Sequence, residues 1–329
     1  MRAGAHALTL VSVPLNVDVL TALEDGAMAL VDLRRAAGSP PQTTARNQLR
    51  MLTRIGVLER RQRAEFPGSV DFELGKAGRE LIEVARVTES WLGAAPDTRV
   101  ELGTSAAKHS IKALVDGWSS TVVRALAAGP LSLTQLSRLI STINYPSLER
   151  RLAAMRLAGQ IVASENNPGR SRPYSATPWL RRAIAPLIAA VAWERQFAAG
   201  EAPPVAVIDV ESAFLLALPL LRLPDHLTGV ARLVVELRGP DGQLVHAGVT
   251  ARVAEGGVVS CTSRLEGATD AWSSGSLGAW LRATIAGDLD ELEVGGDGEL
   301  VHELVGGLHA ALFGVSSSRE IPLHDGSFH

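Results

Sequence analysis

Apolar positions recur at helical spacing in a series of short segments, and one series occurs twice. Leu30, Leu33 and Ala37 share a face of a short predicted helix, and Leu49, Leu52 and Ile55 share a face of the next. A constant shift of 103 residues carries Gly26 onto Gly129, Leu30 onto Leu133, Leu33 onto Leu136, Leu49 onto Leu152 and Gly56 onto Gly159. No gap is needed from Leu15 to Gly56; one residue is then lost, so Phe72 meets Tyr174 and Trp91 meets Trp193 at a shift of 102. A repeat of this length is a statement about architecture.

Both copies have one grammar. A helix (Val17–Leu23; Thr121–Leu126) runs into a glycine, the usual helix terminator. A short helix and a polar turn follow, SPPQTT in the first copy and STINYPS in the second. Pro41 and Pro146 suit the entry to the next helix, where no N–H bond is lost. That helix turns Leu49, Leu52 and Ile55, or Leu152, Met155 and Ala158, inward. Its outer face carries Gln42, Thr43, Thr44, Arg46, Asn47 and Arg50, or Tyr145, Ser147, Glu149, Arg150 and Arg151. Gly56 or Gly159 stops it, and two short strands close the unit, Val57–Arg61 and Val70–Leu74 in the first copy. Helix, turn, helix and β-hairpin form a winged helix-turn-helix, whose second helix enters the major groove of DNA. Arg, Asn and Gln have bidentate base-reading geometry. Arg60, Arg61 and Arg63 of one wing, and Arg170 and Arg172 of the other, suit phosphate or minor-groove contacts that position without specifying sequence.

These segments resemble the HxlR family of winged-helix regulators. The likeness lies in GxxxxxxLxR from Gly26, LxxLxxxGVLxRR from Leu49, and FPGSVDFELGKAGREL, Phe66–Leu81. SRPYSATPWLRR, Ser171–Arg182, is a looser echo. The family's aromatic after the first Gly is absent, which marks a divergent member. The resemblance covers about residues 10–92 and 109–196. It implies a transcription regulator that binds double-stranded DNA and normally acts as a homodimer, with its last helix helping the dimer form. Here that helix is Ala77–Leu92, with Leu81, Val84, Ala85, Thr88 and Trp91 on one face. Its counterpart is Trp179–Phe197, with Ile184, Leu187, Ile188 and Val191, and Pro186 should kink it. The economical cover for these faces and for Ala107–Val115 is one another, which makes a pseudo-dimer within one chain. Two reading helices on one duplex would lie roughly 34 Å apart, one DNA turn. Because the copies differ at the reading positions, two unlike half-sites are expected. A homodimer of the whole chain would carry four such units.

After AAGEAPP the rhythm changes. Val205–Leu223 is apolar and helical in its middle, and Leu227–Arg238, Gly242–Val253 and Gly257–Leu265 alternate apolar with polar residues, with hairpin signals PDGQ and EGG between them. Two helical stretches follow, Ala271–Ala286 and Gly298–Phe313, then a polar tail from Gly314. This is an α+β domain. The strand block and Ser276–Leu308 resemble the sterol-carrier-protein type of lipid-binding domain. That resemblance implies a cavity for a small hydrophobic ligand, with Phe214, Leu215, Leu220, Trp272, Trp280, Leu281, Leu308 and Phe313 as candidate lining; as single residues they are more often simple core. The expected fold is mainly α with small β wings plus this α+β domain, divided at residues 1–105, 106–200 and 201–329.

Charge follows the same division. Residues 1–200 hold 25 Lys+Arg against 17 Asp+Glu, and residues 201–329 hold 7 against 18, so the net values are +8 and −11. The duplicated part is the basic part, as nucleic-acid binding requires. The single cysteine, Cys261, rules out an internal disulfide framework and any multi-cysteine metal site. His302 and His309 are seven apart on one predicted helix, with no ligand set beside them, and GxGxxG and P-loop patterns are missing. Neither a metal, a cofactor, a catalytic set nor a membrane-spanning segment is expected, and the expected location is the cytoplasm. The sequence favours a DNA-binding regulator responsive to a small hydrophobic molecule. The other reading is a carrier that sequesters such a molecule and uses its winged helices as scaffold.

Overall fold

The computed structural model describes residues 2–62, 70–96, 98–141, 143–164, 172–198, 200, 202–239 and 241–314. Arg63, Arg170 and all but the first residue of the polar tail fall outside them. The chain forms two compact units, Met1–Asp116 with Pro186–Pro203, and Gly117–Ala185 with Pro204–His329. These units cut across the sequence repeat, because the last helix of the second copy joins the first unit.

The first unit begins with α1 (Ala5–Val11) and α2 (Pro14–Ala22), with Pro14 at the start of α2, where its missing N–H costs nothing. The two helices bend by 77° to each other, and among the described residues no single helix is long and apolar enough to cross a membrane. The two-residue strand β1 (Met28–Ala29), unforeseen in the sequence, precedes α3 (Leu30–Ala36) and α4 (Gln42–Arg54). Gly56, at φ +74°, ends α4 in the left-handed region, where a side chain would be strained. Strands β2 (Leu58–Gln62) and β3 (Val70–Leu74) form the hairpin, and β1 adds to β3, so the sheet order is β1-β3-β2. Leu33, Ala37, Ala45, Leu49, Leu52 and Leu58 fill the space between helices and sheet; Ile55 is only half-buried.

Helix α5 (Lys76–Gly93) buries more than the expected stripe. Leu81, Val84, Ala85, Thr88 and Trp91 are buried, and so are Ile82, Val87 and Leu92. A helix covered over so wide an arc lies inside its unit. Its neighbours include α1, which also touches α6 (Ser105–Val115).

The second unit starts with α7 (Gly117–Ala127) and repeats the order: β4 (Leu131–Ser132), α8 (Leu133–Leu139), α9 (Tyr145–Leu157), β5 (Ile161–Ala163) and β6 (Pro173–Ala176), with sheet order β4-β6-β5. Its caps are more explicit. Ser132 and Gln135 form a capping box on α8, and Asn144 Oδ1 accepts the Ser147 N–H at 2.9 Å to open α9. Gly159, at φ +71°, stops α9 as Gly56 stops α4. Leu136, Leu148, Leu152 and Met155 are buried, whereas Ala158, expected inside, is exposed.

The counterpart of α5 is broken. Helix α10 (Pro178–Arg182) ends at Ala183 and α11 (Ile184–Phe197) follows. Pro186 cannot donate to the carbonyl four residues back, that of Arg182, and the helix parts there. Ile184 of the expected stripe is buried, with Ala185, Ala190, Trp193 and Glu194; its other members, Leu187, Ile188 and Val191, are half-buried. Within the first unit, Trp193 Nε1 donates to Ala77 O at 2.8 Å, and the Glu194 carboxylate receives the first N–H groups of α1.

The remainder of the second unit is an α+β domain. Helix α12 (Val207–Ala217) and a 3-10 turn, Leu218–Leu220, lead into β7 (Gly229–Arg238), β8 (Leu244–Ala254), β9 (Gly257–Thr262) and β10 (Ala271–Ser276). Helix α13 (Leu277–Ala286), β11 (Glu293–Gly296) and α14 (Gly298–Leu312) complete it. The sheet order is β11-β10-β7-β8-β9, with β7 and β10 parallel and the other pairs antiparallel. Ala231, Leu233, Val235, Ala247, Val249 and Ala251 point to the helix side and are buried. The first six residues of the expected helix 271–286 are β10 instead. AWSSGS alternates buried with exposed positions, and Ser276 Oγ, accepting the Ala279 N–H at 3.1 Å, starts the helix only there.

Candidate nucleic-acid interface

Helix α4 is amphipathic by construction. Ala45, Leu49 and Leu52 face the core, and Gln42, Thr43, Thr44, Arg46, Asn47 and Arg50 are all exposed. Arg54, which the sequence reading passed over, is exposed too, and its spacing of four from Arg50 and eight from Arg46 was the available signal. Arg50 Nη1 donates to Asn47 Oδ1 at 3.2 Å, which holds two potential base-reading groups side by side. From the hairpin, Arg60, Arg61 and Gln62 are exposed on β2, with Arg61 4.0 Å from Glu73.

The helix is anchored from behind. Gln48 Nε2 donates to Asn16 Oδ1, and Asn16 Nδ2 donates to Leu10 O at 2.8 Å. Asn16 has no solvent exposure, so this chain ties α4 through α2 to the end of α1. Neither residue stood out in the sequence, because a lone Asn carries no periodic signal.

Residues 14–98 match the HxlR-like helix-turn-helix family. The matched span runs from the first residue of α2 to just past α5, so it contains α4, its anchor Asn16 and the hairpin. The match implies a DNA-binding transcription regulator, with this span as its helix-turn-helix. No curated protein matches the chain.

On α9 the corresponding face differs. Tyr145 and Arg150 are exposed, while Ser147 and Arg151 are half-buried; Arg172 is exposed at the entry to β6. Leu139, Leu157 and Val162 are 64%, 88% and 52% exposed, where a shift of 103 places Ala36, Arg54 and Glu59 in the first copy. Leu157 in place of Arg54 removes one cation that phosphate would attract, and three exposed apolar side chains suit a protein contact better than a phosphate backbone.

The candidate ligand residues of the C-terminal domain divide. Phe214 meets Trp280 edge to face, ring centres 5.1 Å apart, and Trp280 Nε1 donates to Val234 O at 2.7 Å. Leu308 and Phe313 are buried, and Leu215, Leu220 and Leu281 are half-buried. Trp272 does not join them. It lies on the opposite side of the sheet from Ala271 and Ser273, 39% exposed, its indole across Gly295, where a Cβ would come within 2.4 Å of the ring. Strand alternation explains this placement: Trp272 lies on β10 and Trp280 on α13, not on one helix as the spacing predicts. His302 Nδ1 sits 2.7 Å from Gly298 O and His309 Nδ1 3.2 Å from Thr284 O, and among the described residues no group of three or more potential ligands could hold a metal ion.

Proposed function

We propose that the chain is a transcription regulator that binds promoter DNA through two fused winged helices and senses a small hydrophobic molecule through its C-terminal domain. The observation that carries the DNA part is the row Arg46, Arg50 and Arg54 beside Gln42 and Asn47 on one solvent face of α4, inside the span that matches the family. The offset between the two sets of elements, 103 residues as far as β2 and β5 and 102 for α5 and α10, supports a duplication. The placement of α11 in the same unit as α5 supports terminal helices that cover one another, an intrachain pseudo-dimer. The edge-to-face pair of Phe214 on α12 and Trp280 on α13 supports an apolar chamber of the sterol-carrier kind. No enzymatic step is part of this reading.

The test is binding of the full chain to the DNA upstream of its own gene, measured across a salt series. A regulator loses affinity steeply as salt rises and keeps a specific-to-non-specific ratio of about 10³ or more. Weak binding that ignores sequence would leave the carrier reading ahead. The exposed Leu139, Leu157 and Val162 favour a narrower second reading, in which only α4 reads bases and the second copy serves protein contacts. Methylation interference on both halves of the bound site separates the two.

A further inference from the structure

Helix α12 belongs to two structures at once. One side rests on β8, and its Phe214 is seated on Trp280. The other side meets α7 and α10 of the second helix-turn-helix segment. The contacts from that segment fall at both ends of α12. In its first turn, Asp209 Oδ1 pairs with Arg124 of α7, while Asp209 Oδ2 accepts the Ala206 N–H at 3.1 Å. In its last turn, Arg181 Nη1 of α10 donates to the carbonyls of Leu215 and Leu216 at 3.1 and 3.4 Å. A carboxylate at a helix start and a cation at its end each match the helix dipole, and last-turn carbonyls have no partner within the helix. The Arg124 and Asp209 side chains are each only 22% exposed, so water screens their pairing far less than a surface ion pair.

Among the described residues the first copy shows no such arrangement. The shift of 103 puts Thr21 where Arg124 stands, and the shift of 102 puts Arg79 where Arg181 stands. Arg79 Nη1 donates to Leu74 O in its own hairpin at 2.6 Å. The arginine common to both copies thus reaches α12 only in the copy that is joined to the C-terminal domain.

We infer that α12 is a shared element that makes the second helix-turn-helix segment and the C-terminal sheet one cooperative unit, with Arg124 and Arg181 as the residues that position it. The cooperativity stands without the ligand reading. Its regulatory consequence rests on that reading: a molecule entering beneath α12 would be felt at α7 and α10, and so at the helices they support.

Hydrogen exchange on the full chain, with neither DNA nor ligand added, tests this directly. Leu152 is fully buried in α9, far in sequence from the sheet, and Leu152→Ala weakens the second segment. In the otherwise native chain this substitution should raise exchange in β7, β8 and α12 together with α7–α10, by about tenfold or more. In the Arg124→Ala, Arg181→Ala background it should raise exchange in α7–α10 and leave β7 and β8 within about twofold, because the two parts then open separately. If that double variant does not fold, Asp209→Asn, which removes the charge that pairs with Arg124 and leaves one oxygen for the Ala206 N–H, should reduce the transmitted effect. Sheet amides that ignore Leu152→Ala in the native background, or transmission that survives loss of the arginines, overturns the inference. Failure to bind DNA would overturn the regulator reading and leave this result intact.

Discussion

The carboxylate of Glu194 lies 2.6 Å from the amide of Gly4 and takes two further N–H groups, those of His6 at 2.7 Å and Ala7 at 3.0 Å. The first helix of the chain is therefore capped by the last helix of the second repeat. A helix as short as α1 is marginal by itself, and its opening N–H groups would otherwise be buried without partners. Helix α6, at the equivalent place in the second copy, caps itself through Thr104, whose Oγ1 accepts the Ala107 N–H at 3.2 Å. The shift of 102 puts Leu92 where Glu194 stands, so no reciprocal cap exists.

Glu194→Gln should consequently destabilise the chain. Gln offers one acceptor oxygen in place of two and turns an amide donor toward backbone donors. The expected loss is about 1–3 kcal/mol, read as a lower denaturant midpoint at unchanged slope. A midpoint that does not move would show that solvent or another group serves α1 equally well.

Asn16 makes a separable prediction. It carries no exposed surface and reaches both Gln48 on α4 and Leu10 O at the end of α1. Asn16→Ala takes the side-chain donor from Leu10 O, which keeps only the backbone N–H groups of the turn that follows, and the acceptor from Gln48, at a cost of about 1–3 kcal/mol. Because it also frees the reading helix from its backing, specific DNA affinity should fall while non-specific affinity, set by exposed arginines, stays level. Equal loss on both would assign Asn16 a purely structural role.

Arg46 and Arg50 should differ in kind from Arg60 and Arg61. Alanine at either α4 position should weaken specific binding by about 1–3 kcal/mol and relax sequence preference locally. Alanine at either β2 position should weaken binding to all sequences alike and lower the salt slope by about 1 per residue. Titrations of each variant against specific and scrambled duplexes at several salt concentrations distinguish them. The reverse pattern would place the hairpin, not α4, in the major groove.

The order of elements in the two series was legible because the helices carry periodic apolar faces and α4 and α9 each end at a glycine with positive φ, Gly56 and Gly159. The solvent face of α4 was legible for the same reason, since what is not core at helical spacing must be surface. The two-residue strands β1 and β4 were not, because two residues have no period. Strand β10 was misread because its small residues, Ser273, Ser274 and Gly275, resemble the start of the helix that follows. The tilt of α11 was misread because its apolar residues nearly encircle it; the buried Glu194, an acidic residue among them, decided which side faces inward. Asn16, Glu194 and the clamp on α12 act through tertiary hydrogen bonds, which leave no trace in sequence spacing.

Cys261 supplies a prediction about pH. Burial pushes its thiol up to about 12, while a hydrogen bond from the Thr262 backbone opposes that rise in part. The folded chain thus holds the neutral thiol where the unfolded chain would already release its proton. Stability from this source is complete below the unfolded value, about 8.5, and is lost as pH climbs from there toward the folded value. At pH 8 the native thiol should react with iodoacetamide at least ~10-fold more slowly than in denaturant, since the thiolate is the nucleophile. Cys261→Ser should flatten the loss of stability between neutral and strongly alkaline pH, measured by denaturant midpoints at each pH. Fast alkylation of the native chain at pH 8 would mean that the edge strand β9 opens far more often than its place in the sheet implies.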